Sequence, residues 1–243
     1  MSIWQSARDE LRRCVDLLLP PACLLCGKRL PEDTAATEFC PACRAGLPEP
    51  TPARCPICAV AHGTLIPSLH HCAACLRHPP PFARVHAVGP YAGTLRDAVR
   101  SFKYHGQLAL ERPLGKLLAT TLTAGAATRP DLLIPVPLHV ERLRSRGYNQ
   151  ALQLARQIGL QLDVPVAVDL LRRVRPTAPQ QGLTAAARQH NLRGAFATTR
   201  RLPGRRILLV DDVLTTAATA RECAAMLRAA GAARVEVAVL GRA

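Results

Sequence analysis

The sequence is poor in aromatic residues, in lysine and in long apolar runs. Phe, Trp and Tyr together make up 3% of its 243 residues, so a core must be built from Leu, Val, Ile and Ala. Of the 32 Lys and Arg residues, only Lys28, Lys103 and Lys116 are lysines. No apolar run approaches the roughly 18 residues that a membrane-spanning helix needs, so no membrane insertion is expected. The opening stretch MSIWQSARDELRRCVDLLLPP mixes acids and arginines with its apolar residues. It lacks the continuous apolar centre of an export signal, and a cytoplasmic location is expected. Acids are also missing from one long stretch: none occurs between Asp169 and Asp211.

What fills that stretch is arginine: Arg172, Arg173, Arg175, Arg188, Arg193, Arg200, Arg201, Arg205 and Arg206. The net charge of the chain is +15, and nearly all of it lies beyond residue 80. Forked guanidinium groups suit phosphates. A field of this kind fits a polyanion, whether a phosphorylated metabolite, a nucleic acid or both.

Cysteine is plentiful, and its spacing is regular. CLLC (Cys23, Cys26) precedes CPAC (Cys40, Cys43), and CPIC (Cys55, Cys58) precedes CAAC (Cys72, Cys75). In both units 13 residues separate the two pairs. A C-x-x-C knuckle brings two thiolates to one ion, and two knuckles complete a tetrahedral zinc site. Two structural zinc ions are expected. The spacing leaves open whether each ion takes sequential or interleaved pairs. Redox dithiols are the competing reading, but those come singly on a thioredoxin-like fold. His62, His70, His71 and His78 read as surface residues, and Cys14 and Cys223 as small apolar ones. The proline-rich stretch 20–80 has little helix or strand pattern, so metal would supply its folding energy. An amphipathic helix over 4–18 precedes it.

Beyond Phe82 the pattern changes. ARVHAVGPY, DLLIPVP, GRRILLVDD and RVEVAVLGR read as strands. GTLRDAVRSFKYHG, LALERPLGKLLATTLTAG, NQALQLARQIGLQL and TAATARECAAMLRAAGA read as helices. Strands alternating with helices predict an α/β fold with a parallel sheet. The division expected is 1–80, helix and zinc ribbons, and 81–243, the sheet domain. Ligands of such sheets bind at the carboxyl ends of strands, where Asp211 and Asp212 fall.

The stretch LLVDDVLTTAAT then acquires a chemistry. The helix after it begins near Thr216–Thr219, and its first N–H groups face outward at the positive end of the dipole. Phosphate suits that position. Thr215, Thr216 and Thr219 add hydroxyls, and Ala217 and Ala218 leave room for backbone contact. Two adjacent carboxylates accept hydrogen bonds from a vicinal diol, or bind Mg2+. A ribose 5-phosphate satisfies both halves. Paired acids after LLV also occur in phospho-receiver domains, but near the domain's beginning. As helix caps alone, two like charges at one strand end would be costly.

LLVDDVLTTAAT resembles the phosphoribosyl-pyrophosphate (PRPP) motif of type I phosphoribosyltransferases. Over nearly its full length the chain resembles the competence protein F family, which joins a double zinc ribbon to a phosphoribosyltransferase domain. FKYHGQ, IPVPLHVERLRSRGYNQA and RRVRPTAPQQGLTAAARQHNLRGAF match the family's other blocks in order. Ala217 stands where the motif usually has Gly, a position that strains alanine if it requires φ > 0. The resemblance implies that Asp211 and Asp212 hold the ribose hydroxyls and offset charge developing at C1. It implies that Val213, Leu214, Thr215, Thr216, Ala217, Ala218 and Thr219 cradle the 5-phosphate. Mg2+ would accompany PRPP, with Arg142, Arg146, Lys103, Tyr104 and Arg188 around the pyrophosphate and Arg172–Leu183 as a mobile loop. Two functions follow: transfer of phosphoribose to a nitrogen acceptor in a DNA-uptake setting, or a catalytically weak PRPP or nucleotide sensor. The second would bind single-stranded DNA or a protein of the competence machinery. The acceptor is not legible in the sequence.

Overall fold

In the computed structural model the residues described are 10, 20–30, 38–48, 53–63, 70–124, 129–175 and 192–243. The N-terminal helix expected over 4–18, Cys14, Arg188 and residues 176–183 of the expected mobile loop lie outside them. The chain forms two compact units, Met1–Leu47 and Pro48–Ala243.

In the first unit, helix α1 (Pro41–Ala45) begins at Cys40, whose sulfur accepts from the Cys43 amide. Helix α2 (Ala73–Arg77) of the second unit also begins at a cysteine, Cys72, which makes no side-chain cap. The two knuckles that precede these helices are near copies. Ala22 bridges Arg29 antiparallel in one, and Arg54 bridges Ala61 in the other. The tight turn between them needs a left-handed residue one place after the second cysteine. Gly27 supplies it at φ 72° in the first knuckle, and Ala59 at φ 57° in the second.

The rest of the second unit is the predicted α/β domain. Its elements are β1 (Arg84–Pro90), α3 (Gly93–Tyr104), α4 (Glu111–Ala124), β2 (Leu132–Pro135), α5 (Val140–Arg146) and α6 (Gln150–Leu162). They continue with β3 (Leu171–Arg173), β4 (Phe196–Thr198), β5 (Arg206–Val210), β6 (Val213–Leu214), α7 (Ala218–Ala229) and β7 (Arg234–Arg242). The main sheet has the order β1-β7-β5-β2, with β6 also on β7. Every pair in it is parallel. Its centre is an apolar strand: β7 is buried from Val235 to Gly241. The one buried acid there, Glu236, accepts from His86 of β1 at 2.7 Å and from Arg234 at 2.6 Å, so no bare carboxylate is left in the core.

One local expectation is revised. Arg172 and Arg173 belong to β3, paired antiparallel with β4, rather than to a loop. The second cysteine unit is part of the sheet domain's own packing. The Val85 amide donates to the Ile57 carbonyl at 2.7 Å, and Ala59 is buried among the domain's core residues. The compact unit that holds the sheet starts at Pro48.

Candidate functional site

A cavity of about 870 Å³ opens beyond the carboxyl ends of the strands. Three strand ends contribute. Tyr91 follows β1, Val136 to Leu138 follow β2, and Asp211 and Asp212 follow β5. The aspartates are held by sheet-like bonds continuing past β5. The Asp211 amide donates to Ala238 and the Leu240 amide to Asp212, both at 3.0 Å. Val213 to Thr219 line the same cavity and lead into α7.

Two neighbouring carboxylates in a sheltered site repel. Desolvation, and next the Asp212 charge, push the Asp211 carboxyl up to about 7. Lys103, at the end of α3, places its Nζ 2.7 Å from Asp212 Oδ1. Burial opposes that ammonium, but the charges of Asp212 and Asp211 hold its pKa above the ordinary lysine value. Lys103 therefore neutralises a carboxylate of the strand-end pair.

The RGYNQ turn is built to present Arg146. Gly147 ends α5 at φ 78°. The Tyr148 hydroxyl donates to the Phe102 carbonyl, tying the turn to the helix that carries Lys103. Asn149 accepts from the Ala151 amide at 3.0 Å, starting α6, and donates to the Val136 carbonyl at 3.1 Å. Arg146 then stacks over Tyr104, 4.9 Å from the ring centroid, and donates to Gln150 at 3.1 Å. Arg142 and Arg146 both line the cavity. Among the described residues the site thus gathers Asp211, Asp212, the 213–219 loop, Lys103, Tyr104, Arg142 and Arg146. Arg188 lies outside the described residues. The structure adds Tyr91, Ser145 and Arg173 to the lining. Only Arg173 carried a signal in the sequence, as part of the arginine run.

Ala217 has φ 62° and ψ 8°, a left-handed residue immediately before α7. It is buried, 8% exposed. The position does demand positive φ, and alanine meets that demand at a cost of roughly 1–2 kcal/mol.

The cysteines form two separate clusters. The sulfurs of Cys23, Cys26, Cys40 and Cys43 lie within 4.8 Å of one another, and so do those of Cys55, Cys58, Cys72 and Cys75. Sequential pairs, not interleaved ones, share each cluster. The chemistry fits a divalent ion. Burial works against the Cys23 thiolate, yet amides at Cys40, Cys26 and Leu25 bring its pKa down to about 6. Cys55 is brought to about 6 in the same manner, by amides at Cys58, Cys72 and Ile57. The partners cannot follow without a counter-charge. Desolvation, then the neighbouring sulfurs, push Cys43 up to about 12. A zinc ion among four sulfurs removes that conflict.

Sheet, strand-end aspartates and cysteine tetrads together define a type I phosphoribosyltransferase fold joined to a double zinc ribbon. A phosphoribosyl transferase domain model matches residues 144–242, and a double zinc ribbon model matches 14–76. Competence protein F of Haemophilus influenzae is 35% identical over 195 residues, covering 77% of this chain and 85% of that protein. DNA utilization protein YhgH of Escherichia coli O6:H1 is 33% identical over 229 residues, covering 91% and 96%. Competence protein ComFC of Bacillus subtilis is 27% identical over 218 residues, covering 88% and 82%. The chain belongs to the competence protein F family. No helix among the described residues is long and apolar enough to cross a membrane.

Proposed function

We propose that this protein binds Mg2+–PRPP and transfers its phosphoribosyl group to a nitrogen acceptor, in the cytoplasm and in the service of DNA uptake. One observation carries the reading. Paired carboxylates at the end of β5, the hydroxyl-rich loop into α7 and the arginines of α5 all line one cavity. Asp211 and Asp212 accept from the ribose hydroxyls, and the nearer one offsets positive charge at C1. Thr215, Thr216 and Thr219, with the first amides of α7, take the 5-phosphate. Arg142 and Arg146 take the pyrophosphate. Mg2+ supplies charge neutralisation of the pyrophosphate oxygens. The C1–O bond breaks with its electron pair leaving on pyrophosphate. The acceptor nitrogen donates the pair that forms the new C1–N bond and then loses a proton. The functional division we propose is residues 1–80 for metal and 81–243 for the ligand. Pyrophosphate released from PRPP and Mg2+ in the presence of a panel of bases and amines is the expected result. No release with any acceptor, alongside tight PRPP binding, would favour the sensor.

Ala217→Gly removes the strained Cβ without touching a polar group. The variant is expected to bind PRPP at least as tightly as the parent and to be more stable by about 1 kcal/mol. Calorimetric titration and thermal melting measure both. Weaker binding would mean that the methyl group itself supports the site.

The exposed arginines favour a second reading, a surface for single-stranded DNA. Its relatives carry the names competence protein and DNA utilization protein. Arg172, Arg175, Arg193, Arg200, Arg201 and Arg205 are exposed. They do not form one belt around the site. Arg173 lines the cavity, whereas Arg206 opens β5 at the far end of the sheet, paired with Asp131 at 2.7 Å. Binding through phosphates falls with salt in proportion to the contacts made. Replacing Arg172, Arg173 and Arg175 with alanine is expected to flatten the log–log salt slope by up to about 2, given ~0.7 per phosphate for single strands. An unchanged slope would remove this segment from the DNA surface. The same variant, titrated with PRPP, separates a role at the cavity from one on DNA.

A further inference from the structure

Arg242, the last residue of β7, stands between the second cysteine cluster and the loop that follows β5. Its Nε donates to the Cys58 carbonyl at 2.9 Å. Its Nη1 donates to the carbonyls of Leu214 at 3.0 Å and Thr215 at 2.5 Å, and to that of Ala243. The backbone reinforces the contact. Leu214 pairs with Arg242 in the β6–β7 ladder, and the Ala243 amide donates to the Leu214 carbonyl at 3.0 Å.

A planar fork of donors gathers carbonyl dipoles that would otherwise repel one another. In a trans peptide the carbonyl and the following N–H point in opposite directions. Carbonyls of Leu214 and Thr215 aimed at Arg242 therefore aim the amides of Thr215 and Thr216 the other way. Both threonines line the cavity. Cys58, meanwhile, is one of four sulfurs clustered for an ion, and an ion there fixes the backbone that carries its carbonyl.

We propose that Arg242 is a positioning residue that couples the Cys55–Cys75 metal knuckle to the anion-binding loop. Metal fixes the Cys58 carbonyl, the carbonyl fixes the guanidinium, and the guanidinium turns the Thr215 and Thr216 amides toward the phosphate. The identity of the ligand rests on the function proposed above. The two tetrads are then unequal, because the Cys23–Cys43 tetrad lies in the other compact unit.

The test compares full-length, zinc-loaded Arg242→Ala, Arg242→Lys, Cys58→Ser and Cys26→Ser variants with the parent. Amide exchange over residues 211–220 is expected to be about tenfold faster in Arg242→Ala and Cys58→Ser, the loss of roughly one charge-assisted hydrogen bond. Arg242→Lys keeps the charge but not the fork, and is expected to behave as Arg242→Ala does. Cys26→Ser, which disables the other tetrad, is expected to move this segment less. Both Arg242 variants should retain the parent's zinc content, which separates loss of the bridge from loss of metal. Affinity for ribose 5-phosphate should fall about tenfold in step with the exchange. Parent-like exchange in both Arg242 variants, or equal effects of Cys26→Ser and Cys58→Ser, would overturn the coupling. A parent protein that ignores ribose 5-phosphate would instead overturn the ligand assignment, with the exchange data still deciding the coupling.

Discussion

A double variant, Asp211→Asn with Asp212→Asn, is expected to lose calorimetrically detectable binding of Mg2+–PRPP while remaining folded. Each carboxylate accepts hydrogen bonds as a charged group, and a bond to a charged group contributes about 1.5–3 kcal/mol. Losing two such acceptors weakens binding by roughly 10²–10⁴-fold. The fold survives because the pair sits on the cavity wall beyond the last residue of β5 rather than in the core. A lower melting temperature is expected all the same. Lys103 loses a charged partner at 2.7 Å, although an asparagine oxygen there still accepts its hydrogen bond. Relief of the repulsion that raises Asp211 works in the opposite direction. Far-UV circular dichroism and melting report the fold, and titration reports the site. Parent-like affinity in a folded double variant would remove the ribose from these residues.

The second large effect concerns metal. About two zinc ions per chain are expected, one in each cysteine tetrad. Sequential pairing gives this a sharper form. Cys26→Ser with Cys40→Ser alters only the tetrad formed by Cys23, Cys26, Cys40 and Cys43. It should therefore cost one zinc and leave the other. Interleaved sites would lose parts of both. Structural zinc contributes about 10–16 kcal/mol to the folding of isolated finger peptides. Stripping both ions with a chelator is accordingly expected to unfold the two knuckle regions. Elemental analysis showing less than one zinc in carefully prepared protein would defeat the assignment.

The features legible in the sequence are those whose chemistry is local. A C-x-x-C knuckle declares itself in four residues. An apolar strand that runs into two aspartates and a hydroxyl-rich helix start does so in fifteen. Features that depend on distant partners stayed hidden. The β3–β4 pair joins Leu171 to Thr198, and nothing near Arg172 signals that pairing. The docking of the second knuckle on the sheet depends on Ile57 meeting Val85, two ordinary apolar residues. Lys103 was legible as a cation at a helix end, but its pairing with Asp212 is a tertiary fact. The glycine-to-alanine departure at 217 was visible, and only the backbone angle gave it a sign.

The central place of β7 has a consequence for how the chain is made. His86 of β1 and Glu236 of β7, paired in the sheet, are 150 residues apart in sequence. β7 lies between β1 and β5, both of which precede it in the chain. At about 5–20 residues per second, a ribosome delivers β7 on the order of ten seconds after β1. Through that interval β1 presents an open strand edge, and β5, which ends shortly before β7 begins, does so for the last part of it; such edges invite pairing with another chain. The cysteine knuckles emerge earlier and can close on metal without waiting. A nascent chain stalled before Arg234 would carry all eight cysteines of the two tetrads but neither the central strand nor Arg242, which holds the Cys58 carbonyl.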